Sequence, residues 1–473
     1  MNQLSTKQRK YLYFGGILIL LILIIFLGMP SGSGIQTADN SEQQASWLDL
    51  GGKLAQLRTS YSLGESNLGK VDPSSSTMNL VLLGLRGFAV NKLWMDAIYH
   101  QGNKNWAQLD TNVNSIILLQ PHYVSVWRYQ GWNLAWNVSR EWDAIEDRYY
   151  WVKKGGKFLI KGQKRNYGIP EFYSSIGRIL GEKIGVADEW VYYRKYFFVD
   201  PNLEKFDGSY DPEFNVSGLK DNYLAAKAWY LEGNDVEKKR RSRLLRIVFR
   251  QKPALAQKQS SMTLLKEGKL DANTLRSWEI TNDNWTKIYH ENDQPGLGME
   301  RFNSLAGIVY LEASSQKELN DLQKEDAKPG RYSNAEKQEQ IDRLQSMINY
   351  RYWRARSKLE QNSRMLEIRK EIAQGKAFFA DSEYTNASKK LMDGMSHLNR
   401  FMQQGEEGAE LSKDPDMIDE ILMAVFIWRQ CLKKLDNPIP QQYPLKSIWD
   451  LNQDSLLDIT LEFKRKYKLL IQK

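Results

Sequence analysis

The sequence predicts an all-α fold, in which an N-terminal transmembrane helix is followed by an array of helical hairpins. Three observations support this prediction. Residues 11–29 form one uncharged apolar run, apolar residues recur mostly at steps of three and four from Met78 onward, and strand-type alternation is scarce. Steps of three and four place side chains on one face of a helix, and packing helices in pairs buries such faces.

The run Tyr11–Met29 has about the length of a membrane-spanning helix, which needs roughly 20 apolar residues. Three basic residues lie within positions 7–10, and the next one is Lys53. Because basic residues favour the cytoplasmic side, we expect a single-pass protein of the cytoplasmic membrane with most of the chain outside the cytoplasm. A cleaved signal peptide is the alternative. The length of the run and the poor cleavage site at positions 29–32 favour a retained anchor.

Composition limits the possible functions. The 473 residues contain one cysteine, Cys431, which excludes an intramolecular disulfide framework and a four-cysteine metal site. The four histidines, His100, His122, His290 and His397, leave little for metal chemistry. We therefore expect no metal, no cofactor and a fold stabilised by packing alone.

The net charge of +9 indicates an anionic partner, such as a lipid surface, an envelope polymer or an acidic protein. Solubility is the simpler explanation of the same charge. Nucleic acid is not expected as a partner, because the bulk of the chain is predicted to lie outside the cytoplasm.

The sequence divides into seven predicted segments. The polar stretch Ser31–Gln44 has almost no apolar residue and is typical of a flexible tether, and residues 315–338 are rich in Lys, Glu, Gln and Asp. The predicted segments are residues 1–10 (cytoplasmic N-terminus), 11–29 (transmembrane helix), 30–77 (flexible tether with a short helix), 78–312 (helical repeat-like domain), 313–338 (charged linker), 339–435 (second helical repeat-like segment) and 436–473 (C-terminal tail and helix).

Two stretches fit the spacing of tetratricopeptide repeats. In the first, Trp127 is followed by Gly131, directly after Pro121. The second stretch contains Gly375, Phe378, Ala387, Leu391 and Gly394. Small residues at such positions allow two helices to approach closely. The sequence therefore predicts a tetratricopeptide-like array, with ordinary helical hairpins as the alternative.

Four aromatic-rich stretches, residues 83–97, 119–143, 148–162 and 183–197, carry a resemblance to a known family. They resemble an uncharacterised family of single-pass planctomycete membrane proteins, some of which are labelled "iron responsive element". The resemblance implies a helical domain of unknown activity, anchored in a bacterial inner membrane and facing the periplasm. It supplies no catalytic residues, and the sequence shows no cluster of iron ligands.

The densest aromatic stretch predicts a partner-binding site. Trp132 and Trp136 fall on one helical face, and Arg140, Glu141 and Asp147 follow them. One interpretation is a concave groove that binds a peptide or a sugar polymer. The alternative is a packed core, which we favour for most of the tryptophans because aromatic stripes at helical spacing usually pack inside. We predict that the three charged residues face the groove.

A second candidate site is basic. Seven residues surround a short apolar run and predict a basic amphipathic helix that could lie on anionic lipid. These residues are Lys238, Lys239, Arg240, Arg241, Arg243, Arg246 and Arg250. The alternative is a solvated outer face.

No catalytic motif is present, so an enzyme is not expected. The sequence predicts a membrane-anchored periplasmic scaffold of helical repeats that mediates protein–protein interaction in the cell envelope. The alternative is a binding module for an envelope polysaccharide or an anionic lipid surface.

Overall fold

A computed structural model of the chain is mostly helical, which confirms the predicted all-α class. It describes residues 6–28, 86–239, 245–290, 294–312, 317, 320–321, 332–404, 408 and 411–467. Most of the predicted tether (30–77) and charged linker (313–338) lies outside this set.

The predicted membrane span falls on helix α1, Thr6–Gly28. Side chains of this helix are described as far as Leu20, and Met29 lies outside the described residues. Among the described residues, no helix has both the length and the apolar character that are needed to cross a membrane. The membrane-anchored topology therefore stays a prediction.

The chain separates into two compact units, Met1–Ser175 and Ile176–Lys473, and the division falls within helix Pro170–Arg178. After α1, the described helices of the first unit are α2 (Arg86–Gly102), α3 (Trp106–Leu119), α4 (Val124–Trp136), α5 (Ile145–Arg165) and the start of α6 (Pro170–Arg178). A 3-10 turn, Val138–Glu141, follows α4.

Helices α4 and α5 pack unusually closely. A Cβ atom on Gly155 would lie 2.5 Å from the carbonyl oxygen of Gly131, and one on Gly131 would lie 2.4 Å from Cγ of Leu159. The contact therefore depends on glycine at both positions. Trp127 is fully buried beside it, and its indole Nε1 donates a hydrogen bond of 2.8 Å to the carbonyl of Pro121. This arrangement satisfies the one polar atom of the indole.

In the second unit, α6 is followed directly by a π-helical turn, Ile179–Lys183, and then by a short α-helical turn, Ile184–Val186. Its further helices are α7 (Trp190–Phe198), a single turn at Leu203–Phe206, α8 (Asn222–Lys239), α9 (Arg246–Arg250), α10 (Lys252–Lys266), α11 (Ala272–Thr286), α12 (Asn334–Met347), α13 (Tyr350–Glu360), α14 (Ser363–Ala380), α15 (Tyr384–Met402), α16 (Pro415–Lys434), α17 (Lys446–Leu451) and α18 (Leu456–Lys466). Two 3-10 turns, Leu297–Met299 and Gln453–Ser455, also lie in this unit.

Two small antiparallel hairpins lie between α11 and α12. Strand β1 (Ile288–Tyr289) pairs with β2 (Gln294–Pro295), and β3 (Phe302–Ser304) pairs with β4 (Gly307–Val309). Their buried residues join a core cluster that includes Trp285. These strands were not predicted, because two- and three-residue strands are too short to show the alternation of apolar and polar residues that indicates a strand.

Helices α14 and α15 pack through small residues. A Cβ atom on Gly375 would lie 2.6 Å from Cγ of Leu391, and one on Gly394 would lie 2.8 Å from Cγ1 of Ile372. Ala387 is fully buried in the same core. The residues that suggested a repeat therefore do lie at a helix–helix contact. That contact is also expected of an ordinary hairpin, and the tetratricopeptide interpretation stays a prediction.

Candidate functional site

The aromatic stretch of the first unit divides between core and surface. Trp127 and Tyr149 are buried, whereas Trp132 is 38% and Trp142 is 41% exposed. The split follows helical register, because Trp127, Gly131 and Ala135 face α5 while Trp132 lies one residue further round α4 than Gly131. The preference for a packed core thus fits some of these residues and not others.

Each of the two exposed tryptophans stacks on a half-buried one. Trp132 and Trp136 have ring centroids 6.3 Å apart with planes inclined by 16°, and Trp142 and Trp151 have centroids 6.0 Å apart at 24°. Tyr150 is exposed and meets Trp151 edge-on. We call these five residues the aromatic surface. Trp132 and Trp136 lie in the last turns of α4, Trp142 lies in the connection to α5, and Tyr150 and Trp151 lie in the second turn of α5.

The three charged residues predicted to face a groove lie on the same connection. Arg140 and Glu141 belong to the 3-10 turn, and Asp147 lies in the first turn of α5. All three are exposed, and Glu141 forms an ion pair of 2.9 Å with Lys104. The amine of Lys154 lies 4.5 Å above the Trp151 ring. Exposed aromatic and charged side chains thus alternate along the chain between the last turns of α4 and the second turn of α5.

The basic stretch does not form one continuous helix in the structure. Helix α8 ends at Lys239 and α9 begins at Arg246, while Arg240, Arg241 and Arg243 lie outside the described residues. Lys238 pairs with Asp235 at 3.2 Å, so this part of the stretch is already ion-paired.

The two arginines of α9 have carboxylate partners. Arg250 is 2% exposed and donates to Glu237 at 2.5 Å, and Arg246 lies 3.2 Å from Glu300. Glu300 is distant in sequence, so the local pattern could not reveal this neutralisation. Arg250 lies inside the unit and is not positioned to contact a lipid surface.

The sequence did not reveal a cavity of about 550 Å³ in the second unit. Its walls come mainly from α10, α14 and α16, with single residues from α13, α15 and α18. The apolar lining is rich in methionine and includes Met262, Met365, Met417 and Met423. Helical spacing explains this lining, since the contributing residues of α14 and of α16 recur at steps of three and four.

An ion network, buried except for the partly exposed Glu420, forms one side of the cavity. Arg356 is 2% exposed and donates to Glu360 at 2.8 Å and to Asp414. Glu360 also accepts from Arg369 at 2.6 Å, and Arg369 in turn reaches Glu420 at 2.5 Å. Both guanidinium groups are therefore held between carboxylates.

For Arg369 and Glu420, charge pairing shifts the pKa in the direction opposite to the effect of burial. Burial would lower the pKa of Arg369, but the carboxylates of Glu360 and Glu420 outweigh it and raise that pKa. Burial would raise the pKa of Glu420, but the guanidinium groups of Arg369 and Arg356 lower it. Charge pairing thus dominates over desolvation here.

A second set of charges lies at the rim of the cavity. Asp416 and Asp419 are exposed on α16, and Glu462 is exposed on α18. Partial burial raises the pKa of Asp419, and the neighbouring carboxylates of Asp416, Glu462, Asp458 and Asp414 raise it further. Like charges therefore crowd this side of the cavity.

One buried lysine lies near the rim. The amine of Lys258 lies 3.6 Å above the ring of Trp353, and burial lowers its pKa to about 8 although Asp416 acts in the opposite direction. A cation held over an aromatic face is stabilised by the ring quadrupole.

Within the described ranges, no group of three or more His, Cys, Asp or Glu residues is arranged to hold a metal ion. Comparison of the chain with protein-family models, curated proteins and solved structures returned no match. The resemblance to the planctomycete family accordingly stays a prediction.

Proposed function

We propose that the protein is a membrane-anchored scaffold that binds other envelope proteins through the aromatic surface of its first unit. The observation that carries the proposal is the exposure of Trp132 and Trp142, each of which stacks on a half-buried tryptophan. Exposed tryptophan leaves a large apolar area in water, and covering that area on association is favourable. Tryptophan, tyrosine and arginine are also the residues most enriched among energetic hot spots of interfaces.

The charges around the rings support a protein partner. Arg140 and Asp147 are exposed on the same connection and can form hydrogen bonds at the border of an aromatic contact. Interfaces commonly combine an aromatic centre with such a polar rim. The uncharged run at positions 11–29 has three basic residues directly before it and none after it until Lys53, which supports anchorage in the inner membrane with the rest of the chain in the periplasm.

One observation favours a second candidate, the binding of an envelope polysaccharide. The Trp132 and Trp136 rings are inclined by only 16°, so they present nearly parallel faces. Nearly parallel aromatic faces are a suitable platform for the flat, apolar faces of sugar rings. The same residues would serve both functions, so the experiment must distinguish the ligands.

The experiment tests partner recovery in cells. A photo-crosslinking amino acid replaces Tyr150 in the full chain, and crosslinked proteins are compared between the parent and the double variant Trp132→Ala, Trp142→Ala. Leu457→Ala serves as the control, since Leu457 is 69% exposed but belongs to the second unit. We expect the double variant to lose a specific crosslinked protein and the control to retain it.

Two outcomes would contradict the scaffold proposal. One is a crosslinking pattern that is identical in the parent and the double variant. The other is binding of the parent to purified envelope polysaccharide that the double variant loses, without any variant-dependent protein crosslink. The second outcome would assign the aromatic surface to sugar.

A further inference from the structure

The cavity of the second unit has a wall suited to an aliphatic chain. Its volume of about 550 Å³ falls in the range of roughly 300–1,000 Å³ that is common for small-molecule sites. The thioether side chains of its four methionines are unbranched and polarisable, so they adapt to different apolar shapes. The other apolar side chains of the lining are Leu265, Leu270, Ile368, Ile372, Ala373 and Leu398.

The arginines of the cavity do not favour an anionic ligand. Arg356 is held by Glu360 and Asp414, and Arg369 is held by Glu360 and Glu420. An anion would have to displace one of these carboxylates. Breaking a buried ion pair costs several kcal/mol, which disfavours that exchange.

The rim carries negative charges that form no ion pair with any described residue. Within that part, neither Asp416, Asp419 nor Glu462 has a lysine or arginine at ion-pair distance. Two lysines also line the cavity. The charge of Lys376 helps to lower the pKa of Glu420, and Lys266 lies exposed at the mouth. A ligand cation would relieve the repulsion among the three rim carboxylates.

We infer that the cavity binds an aliphatic ammonium ligand, with its methylene chain against the methionine wall and its cationic end at Asp416, Asp419 and Glu462. An inorganic ion fits less well, because the described acidic residues form no metal-binding group. An ammonium group on a flexible chain carries three donors and can reach carboxylates on two helices. The chemistry is shared by free polyamines and by lysine side chains of a partner.

Calorimetric titration of the full chain in detergent micelles tests the inference. The probes are spermidine, 1,6-hexanediamine, 1,6-hexanediol and an acetylated, amidated Gly-Lys-Gly peptide. The double variant Asp419→Asn, Glu462→Gln removes rim charge with little change in shape. Glu367→Gln is the matched control, because Glu367 lies on α14, is exposed and does not line the cavity.

We expect spermidine and the diamine to bind the parent and the control alike, and the diol not to bind. The double variant should weaken spermidine binding about tenfold or more, the scale of losing a charged hydrogen-bond partner. Binding should also weaken as the pH falls, because the raised pKa of Asp419 allows protons to compete with the ligand. Binding of the peptide would identify a lysine side chain as the source, and its failure would identify a free amine.

Three results would overturn the inference. They are equal binding of the diol and the diamine, undiminished spermidine binding by the double variant, and displacement of spermidine by Mg²⁺ at stoichiometric concentration. The last result would make the rim an inorganic cation site. Since the substituted residues are exposed and removal of rim charge relieves repulsion, each variant is expected to unfold at a temperature no lower than that of the parent, and this measurement accompanies the titrations.

Discussion

The ion network beside the cavity makes a quantitative prediction about Glu360. Its carboxylate accepts from Arg356 Nε at 2.8 Å, and from Arg369 Nε at 3.0 Å and Nη2 at 2.6 Å. Glu360 is fully buried, so solvent does not screen these contacts. The substitution Glu360→Gln keeps the side-chain shape and one acceptor oxygen but removes the charge.

The expected cost follows from the charges that remain. With Glu360 neutral, Asp414 and Glu420 still balance the two guanidinium groups, so no uncompensated charge is left. The loss is then that of charged hydrogen bonds, worth about 1.5–3 kcal/mol each, partly replaced by the amide. We expect Glu360→Gln to reduce the free energy of unfolding by about 2–3 kcal/mol. Arg356→Met leaves buried carboxylates in excess and should cost more, about 3–5 kcal/mol.

The single cysteine provides the assay. Cys431 is buried on α16, the helix that also carries Glu420, so its reaction with a thiol reagent reports the unfolding of this helix. Pulsed labelling across a urea series gives the midpoint for each variant. Glu279→Gln is the control, because Glu279 pairs with Arg276 on the surface and such pairs contribute at most about 1 kcal/mol.

The reasoning would be refuted if Glu360→Gln shifted the urea midpoint no more than Glu279→Gln does. It would also be refuted if Arg356→Met were the milder of the two network substitutions. The first result would show that the network contributes nothing measurable. The second would show that charge balance does not decide the cost.

Three further predictions concern other parts of the chain. Gly155→Ala places a methyl group against the Gly131 carbonyl and should destabilise the first unit by about 1–3 kcal/mol in urea titration, whereas Gly181→Ala meets only ordinary contacts and should be near neutral. Burial raises the pKa of Cys431 to about 12, so labelling with iodoacetamide at pH 8 should require denaturant, and rapid labelling of the native protein would contradict its burial. The pKa of Lys258, about 8 against 10.5 for an ordinary lysine, means that the unfolded chain binds this proton first as the pH falls. Lys258 therefore destabilises the fold fully below pH 8, and its cost disappears as the pH rises toward 10.5. Lys258→Met should raise stability at pH 7 by about 1–3 kcal/mol, after allowing for the lost contact with an aromatic ring, and should flatten the rise in stability between pH 8 and 9.5. An unchanged urea midpoint at pH 7 would contradict that prediction.

Local patterns in the sequence were enough to place many helices. Both ends of α3, Trp106–Leu119, are marked in the sequence, because Asn105 caps its first turn and Pro121 follows its last. The break between α10 and α11 is marked in the same way, since Gly268 adopts a positive φ of 72° and Asp271 caps α11. Caps and breakers act within a few residues, so a single sequence displays them.

Long-range partners could not be predicted in the same way. Arg356 and Asp414 are 58 residues apart, and Arg369 and Glu420 are 51 apart. In the sequence each of them looks like one more charge on a solvated helix face. Only the packing of α13, α14 and α16 shows that some of these charges are buried pairs. The same limit applies to the basic stretch, where Glu300 neutralises arginines far from it in sequence.

The aromatic residues show a subtler limit. Spacing alone assigns Trp127 and Trp132 to one aromatic-rich helix, yet one is fully buried and the other is 38% exposed. Five residues turn the helix by about 500°, which is one full turn and about 140° more, so the two rings lie well apart around the helix. Which of the two faces meets α5 is decided by Gly131, since only a residue without a side chain admits Leu159 so closely. A small residue at a helix contact thus identifies the buried face better than the aromatic residues do.

The placement of the charged network bears on the cavity. Replacing a buried ion pair with apolar residues of similar volume is often neutral or stabilising, so a network of five charged groups is not explained by stability alone. Arg356 and Arg369 connect α13, α14 and α16 through directional hydrogen bonds, and those bonds fix the helices at defined positions. Glu420 is ion-paired with Arg369, whereas the carboxylates of Asp416 and Asp419 on the same helix line the cavity mouth. The paired charges thereby hold the unpaired ones in place, which is the arrangement that a cation-selective site requires.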